Sequence, residues 1–150
     1  MFSSILMTCV GNVCRSPMAA ALLSDRAARR GLDIRIASAG IAALIGAPAD
    51  PVAVELMRAR SLDLAAHRAR QLTPQMISEY ELVIVMEAAH LKDLEARFPA
   101  ARGRVHRLGR FGGFDVPDPF QRGREAFERS LALIERGIGA FEKAFWSDAA

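Results

Sequence analysis

A thiol and a guanidinium stand with five residues between them near the start of the chain. They are Cys9 and Arg15, in the stretch Thr8-Cys9-Val10-Gly11-Asn12-Val13-Cys14-Arg15-Ser16-Pro17. An apolar run, Ile5-Leu6-Met7, leads into Cys9, and Ser16-Pro17 opens a helical pattern. The thiol is therefore expected where a strand passes through a loop into a helix N-terminus. Backbone N–H groups of Val10 to Ser16, curled around that turn and backed by the helix dipole, make a cradle for an anion. Arg15 adds a planar fork of donors matched to phosphate oxygens. The same field favours the thiolate, the nucleophilic form of cysteine, and Ser16 can donate its hydroxyl to the sulfur. A sulfur nucleophile at the floor of a phosphate cradle is suited to accept a phosphoryl group. The plainer alternatives are a loop that only binds an anion and a buried structural cysteine. The joint register of Cys, Gly, Arg and Ser-Pro favours catalysis over both.

Attack on a phosphate monoester expels an alkoxide or phenoxide, so a proton donor is needed opposite the nucleophile. Two Asp-Pro dipeptides compete for the role, Asp50-Pro51 and Asp118-Pro119. Asp50 precedes a helical pattern with proline at its first position, which reads as an N-cap. Asp118 lies in Phe114-Asp115-Val116-Pro117-Asp118-Pro119-Phe120, a stiff non-helical loop, and is the candidate acid; Asp115 is its neighbouring rival.

The elements that must bring these groups together alternate. Strands are expected at Ser4–Thr8, Asp33–Ala37, Leu82–Met86 and Arg104–Leu108. Helices are expected at Pro17–Arg30, Pro51–Ala59, Pro74–Glu79, Ala88–Phe98 and Arg124–Phe145. Gly31 stops the first helix, and Thr73-Pro74 supplies a cap with proline behind it. In the last helix Phe127, Leu131, Ile134, Ile138, Phe141 and Phe145 step by three or four, the spacing of a core-facing stripe. Such alternation gives a parallel sheet covered by helices on both faces, with sites beyond the carboxyl ends of the strands. Cys9, Ser38, Glu87 and Asp118 all fall there. Glu87 serves equally well as a cap for the helix that follows it. His90 and His106 read as surface or helix residues.

Composition narrows the field. At 150 residues and 51% apolar content the chain is expected to form one domain, 1–150, with a full core. No apolar run is long enough to cross a membrane and no secretory signal is evident, so membrane insertion is not expected. Both cysteines lie in the reactive loop, which leaves none for a disulfide framework and points to a reducing, cytoplasmic setting. Net charge is +3, but the cations are dispersed among acids, and one Trp and one Tyr offer little for base stacking. Nucleic-acid binding is not expected. No metal-ligand cluster stands out. Cys14, close to Cys9 in a curled loop, fits two roles: a partner for a reversible protective disulfide, or a small residue filling the turn.

The segment Cys9 to Pro17 resembles the signature loop of the low-molecular-weight protein tyrosine phosphatases, C-x-G-N-x-C-R-S-P. Further matches are Ser38-Ala39-Gly40, His67-Arg68-Ala69-Arg70-Gln71-Leu72, Val85-Met86-Glu87 and Pro117-Asp118-Pro119-Phe120, so that residues 3 to 145 are covered. The likeness is to the bacterial branch associated with exopolysaccharide or capsule export. It implies a flavodoxin-like three-layer α/β/α fold with a four-stranded parallel sheet in the order 2-1-3-4. It further implies hydrolysis of phosphotyrosine through a phosphocysteine, with Cys9, Arg15 and Asp118 catalytic, Val10, Gly11, Asn12, Val13, Cys14, Arg15 and Ser16 binding phosphate, and no cofactor. In relatives an Asn like Asn12 ties the loop to residues like Ser16, Ser38 and His67. Phe120 and Val10, with Leu44, are candidate walls for an aromatic ring, although Phe120 replaces the family's usual Tyr and Leu44 reads equally well as an ordinary loop hydrophobe. The implied partner is a phosphotyrosine protein, in this branch a bacterial tyrosine kinase of polysaccharide export. Two rivals remain: an arsenate reductase of the same fold, which requires a further cysteine pair that this chain lacks, and a phosphoprotein-binding module without turnover.

Overall fold

The computed structural model describes residues 2–146, in which four strands alternate with five helices. The strands are β1 (Ser4–Cys9), β2 (Arg35–Gly40), β3 (Leu82–Val85) and β4 (Val105–Arg107). The helices are α1 (Arg15–Arg29), α2 (Pro51–Arg58), α3 (Pro74–Glu79), α4 (Ala88–Arg97) and α5 (Arg124–Phe145), with one short 3-10 turn at Pro99–Ala101. All four strands are parallel, in the order β2-β1-β3-β4. The two central strands, SILMTC and LVIV, are buried at every position, as required of strands covered on both faces. One helical layer, α1, α2 and α5, packs on Ile5, Met7, Leu82 and Ile84; the other, α3 and α4, packs on Leu6, Val83 and Val85. The side chains alternate across the sheet with the period of the pleat.

Three differences from the sequence expectation bear on the site. β2 runs to Gly40 rather than ending at Ala37, because its pairing with β1 continues to Cys9↔Gly40. Ser38 is thus inside the strand, not beyond it. Helix α1 begins at Arg15, two residues before the expected proline start, so Arg15 and Ser16 belong to its first turn. Phe145 is 39% exposed and packs edge-on against Phe2 and Phe111 at the margin, not in the core, whereas Phe127, Leu131, Ile134, Ile138 and Phe141 are buried as expected.

The helix ends follow local chemistry. Gly31 has φ +67° and lets Leu32 N–H return to the Ala27 carbonyl at 2.9 Å, which closes α1. Asp50 accepts from Val52 N–H at 2.9 Å and Thr73 from Met76 N–H at 3.2 Å, each with proline next in the chain. Asp50 is therefore a cap, as expected.

Gly40 closes the sheet edge against the reactive loop. A Cβ there would lie 2.6 Å from the Val10 carbonyl oxygen and 2.9 Å from the Ala43 Cβ. Both obstacles are backbone or backbone-anchored and cannot swing aside. Gly40→Ala is therefore expected to cost about 1–3 kcal/mol of stability and to lower activity by displacing Val10. Denaturant titration beside an aryl-phosphate assay tests this, and full stability with full activity would refute it.

Candidate active site

The loop from Val10 to Cys14 is held open by its own carbonyls. Cys9 O accepts from Ile41 N–H at 2.8 Å, Val10 O from Ala42 at 2.9 Å and Gly11 O from Leu44 at 3.1 Å. Val13 O accepts from Asp50 N–H at 2.9 Å, Cys14 O from Met18 at 3.3 Å, and Asn12 O lies 2.7 Å from His67 Nε2. Since a carbonyl only accepts, His67 carries its proton on Nε2. With every carbonyl turned outward, the amides of Val10 to Cys14 donate no hydrogen bond among the described residues. Peptide N–H groups gathered without partners in a largely buried turn form an oxyanion nest.

Asn12 ties the loop to its surroundings and to the hydroxyl beside the sulfur. It sits at φ +60°, in the left-handed region that Asn tolerates best among non-glycine residues. Its Oδ1 accepts from Arg70 N–H at 2.9 Å, so its amide nitrogen must face Ser16 Oγ at 2.8 Å and Ser38 Oγ at 2.9 Å. Ser16 Oγ already accepts that bond. Its own hydroxyl hydrogen is thereby free for Cys9 Sγ, 2.9 Å away. The network joins Asn12, Ser16, Ser38 and His67 and adds the Arg70 amide, which sequence reasoning did not single out. Asn12 and Ser16 do not line the cleft; their side chains brace the loop from behind.

Arg15 is 1% exposed and is held at one end only. Its Nη1 donates to Glu87 Oε2 at 2.7 Å and to the Val116 carbonyl at 2.8 Å. Nη2 lies 3.7 Å from Asp118 Oδ2, and Nε is buried without a partner. Nε–H and Nη2–H are the side-on fork of a guanidinium, the pair that clamps two oxygens of one oxyanion. Glu87 caps α4 by position, but its carboxylate turns to Arg15 and makes no capping bond. The cap comes instead from Asp115, which accepts from Ala88 N–H at 3.0 Å and from Arg107 Nη1 at 2.9 Å. Asp115 is thus committed away from the cleft, and the rival acid of the sequence reading falls to structure. Asp118 borders the cleft and is half exposed, with Oδ1 accepting from Phe120 N–H at 3.1 Å.

The cleft, about 450 Å³, is walled by Cys9, Val10, Gly11, Val13, Cys14, Arg15, Ala42, Leu44, Asp118 and Phe120. Val10, Leu44 and Phe120 present exposed apolar surface at its rim. Both cysteines are free thiols, and burial, then the charges of Asp50, Cys9 and Asp118, push the Cys14 thiol far up, so it stays protonated. His90, read from sequence as an ordinary helix residue, lies with Nε2 3.4 Å from Glu87 Oε2. The signal available was its place three residues after Glu87, on the same face of α4. Burial holds the His90 imidazole below its ordinary pKa, with Glu87 opposing and Arg15 assisting, so it is neutral at pH 7. Burial also lowers His106, helped by Arg110. Burial works to raise the Asp115 carboxyl, but hydrogen bonds from Arg107 and Ala88 hold it below the usual range.

What such a nest accepts is a tetrahedral oxyanion, and what lies beneath it is a sulfur; the molecule is an α/β protein that brings a thiol to a phosphate. Comparison with known proteins agrees. The family model described as "Low molecular weight phosphotyrosine protein phosphatase" matches residues 4–149. The chain belongs to that family. It is 45% identical over 142 residues to a Ralstonia nicotianae protein named "Probable low molecular weight protein-tyrosine-phosphatase EpsP", covering 94% of each. Vibrio vulnificus Wzb in complex with benzylphosphonate superposes with a TM-score of 0.89 at 37% identity, covering 97% of this chain and 100% of that one. The arginine phosphatase YwlE, solved as a mutant with a phosphorylated active-site serine, gives a TM-score of 0.89 at 30% identity, covering 97% of both.

Two outcomes follow from this geometry. Glu87→Ala frees the buried guanidinium at its anchored end and is expected to lower kcat/KM about 10- to 100-fold, with Glu87→Gln, which still accepts a hydrogen bond, falling between; equal activity of all three would refute the anchoring role. Because the native state resists protonation of His90 and His106, the unfolded chain binds more protons once pH falls through 6.5. Stability present above that pH is then lost, and Tm is expected to drop between pH 6.5 and 5, above the carboxylate range. The double variant His90→Gln/His106→Gln should flatten that slope, and an unchanged slope would refute the assignment.

Proposed function

We propose that this chain hydrolyses phosphotyrosine in proteins in two steps through Cys9. In the first, the Cys9 thiolate attacks phosphorus in line, forming the S–P bond as the P–O bond to the tyrosine breaks. The nest amides and the Arg15 fork hold the three equatorial oxygens. Asp118 gives its proton to the leaving phenolate. In the second, Asp118, now a carboxylate, takes a proton from water, which attacks phosphorus and expels the Cys9 thiolate with inorganic phosphate. The observation that carries this reading is Ser16 Oγ within 2.9 Å of Cys9 Sγ, beside a loop of unpartnered amides.

The substrate class follows from the walls. Val10, Leu44 and Phe120 offer apolar surface to a phenyl ring beside a single carboxylate, Asp118, and that predominance of apolar wall favours phosphotyrosine over phosphoarginine, the chemistry named for YwlE. Retention of a proton donor at Asp118 argues against a binding module. A chain with only two cysteines does not supply the further pair that an arsenate reductase needs. Family resemblance to the exopolysaccharide branch supports a phosphorylated bacterial tyrosine kinase as partner and the cytoplasm as its place of action. Among the described residues no helix is long and apolar enough to cross a membrane.

Cys9→Ser is expected to abolish turnover of an aryl phosphate. Asp118→Asn should lower kcat about 10²- to 10⁴-fold on phenyl phosphate and far less on 4-nitrophenyl phosphate, whose leaving group needs little protonation. An equal loss on both substrates would remove Asp118 from the acid role, and turnover by Cys9→Ser would overturn the mechanism. Capture of substrates by Asp118→Ala from a lysate, competed by vanadate, identifies the phosphoprotein.

A further inference from the structure

A second recess opens on the far side of the acid loop, bounded by Pro117, Asp118, Pro119, Arg122, Ala126, Arg129 and Ser130, with a volume of about 570 Å³. Asp118 is a wall of both this recess and the phosphate cleft, so one side chain separates them. The recess is stiff. Ser130 Oγ donates to the Pro117 carbonyl at 2.7 Å, and Arg122 N–H to the Pro119 carbonyl at 2.9 Å. Gln121 at φ +61° and Gly123 at φ +88° turn the chain sharply on either side of Arg122 and return it to α5.

The charges around it do not balance locally. Arg124 is paired with Glu55 and Glu128, which removes Glu128 as well. Asp118 has one oxygen on Phe120 N–H and the other toward Arg15. Arg129 has Glu125 at 3.9 Å, a loose pair whose side chains are 69% and 93% exposed. The Arg122 guanidinium makes no hydrogen bond or ion pair among the described residues. Two guanidiniums thus face the recess against the distant carboxylate of Glu125 and that of Asp118, whose oxygens are engaged by Phe120 N–H and turned toward Arg15.

We propose that this recess is a subsite for an anionic side chain of the substrate polypeptide, held by Arg122 and Arg129, close in sequence to the phosphotyrosine. The proposal rests on the phosphotyrosine reading above and deepens it. An extended chain advances about 3.3–3.6 Å per residue, so a side chain within about three positions of the phosphotyrosine reaches a recess that shares a wall with the cleft. Elsewhere on the cleft wall the exposed side chains of Val10, Leu44 and Phe120 are apolar and offer an anion no side-chain donor. A carboxylate and a second phosphate group share the chemistry that two guanidiniums recognise.

The test uses phosphotyrosine peptides in an alanine background, carrying aspartate, phosphoserine or lysine singly at each of the three positions on either side. At one position or more, aspartate should raise kcat/KM about three- to tenfold, the range for one or two exposed ion pairs, and phosphoserine by more if phosphate is the natural occupant. The advantage should shrink at high salt and vanish in Arg122→Ala/Arg129→Ala. Arg122→Glu/Arg129→Glu should favour lysine instead. Turnover of 4-nitrophenyl phosphate, too small to reach the recess, should match wild type in both variants. Binding of the same peptides to Cys9→Ser, read by fluorescence anisotropy, reports the subsite even where turnover fails, which separates failure of this proposal from failure of the phosphatase reading. Indifference to aspartate and phosphoserine at all six positions would overturn the proposal, as would a preference undiminished in the double alanine variant.

Discussion

The structure depends on one constraint: five successive carbonyls, Cys9 to Val13, must find donors outside their own turn so that the intervening amides face inward. Left to itself, a short loop of this kind would close on itself through ordinary turn bonds. Here it is pulled open from three sides. The segment after β2 supplies Ile41, Ala42 and Leu44, the cap of α2 supplies Asp50, and the stretch before α3 supplies His67. Each of those donors is an amide or imidazole that would otherwise have needed a partner itself, so loop and surroundings satisfy one another. The nest is therefore a property of the whole sheet edge, not of the signature residues alone.

This explains the division between what could be read from the chain and what could not. The β/α alternation and the cap at Asp50 were legible because apolar runs, prolines and capping residues act locally, whereas the strand order, a non-local property, was implied only by the family resemblance. Cys9, Arg15 and Asp118 stood out because their types and spacing have few other uses. The extension of β2 through Gly40 was not legible, since it follows from pairing with β1 rather than from β2's own sequence. Glu87 was ambiguous for a related reason. A carboxylate before a helix reads as a cap, and only the fold shows Asp115, from a distant loop, taking that place. The same exchange removed Asp115 from the list of acids and gave His90 its neighbour. Phe145 erred in the other direction: its helical spacing is that of the core, but α5 extends to the margin of the sheet that would have covered it.

Segment 115–118 couples three tasks that a sequence shows only as one loop. Asp115 caps the helix that presents Glu87, Val116 lends its carbonyl to Arg15 and its amide to Met86 O, and Asp118 borders the cleft. Moving Asp118 would therefore move the anchors of the guanidinium. Ser130 fixes the far side by binding Pro117 O, which ties the whole segment to α5. The distance between Cys9, at the end of β1, and Asp118, on its loop, is thus set by helices and strands, and rigid placement of this kind is what the proposed in-line transfer requires.

Burying Arg15 at 1% exposure would be costly for a cation without compensation. Glu87 provides it from one end, and Asp118 stands 3.7 Å from the other. The two carboxylates are not equivalent. Glu87 makes a short hydrogen bond to the atom that faces away from the cleft, while Asp118 lies beyond good hydrogen-bond range of the atom that faces into it. Nε has no partner at all. A dianion entering the nest meets amides and a guanidinium fork already oriented and already desolvated, so little reorganisation accompanies its binding. In the proposed mechanism its oxygens take the Nε and Nη2 hydrogens that Glu87, at the other end, leaves free. Oxyanion binding and the packing of the acidic loop are in this way linked through one guanidinium, whose fixed end lies at Glu87 and the Val116 carbonyl.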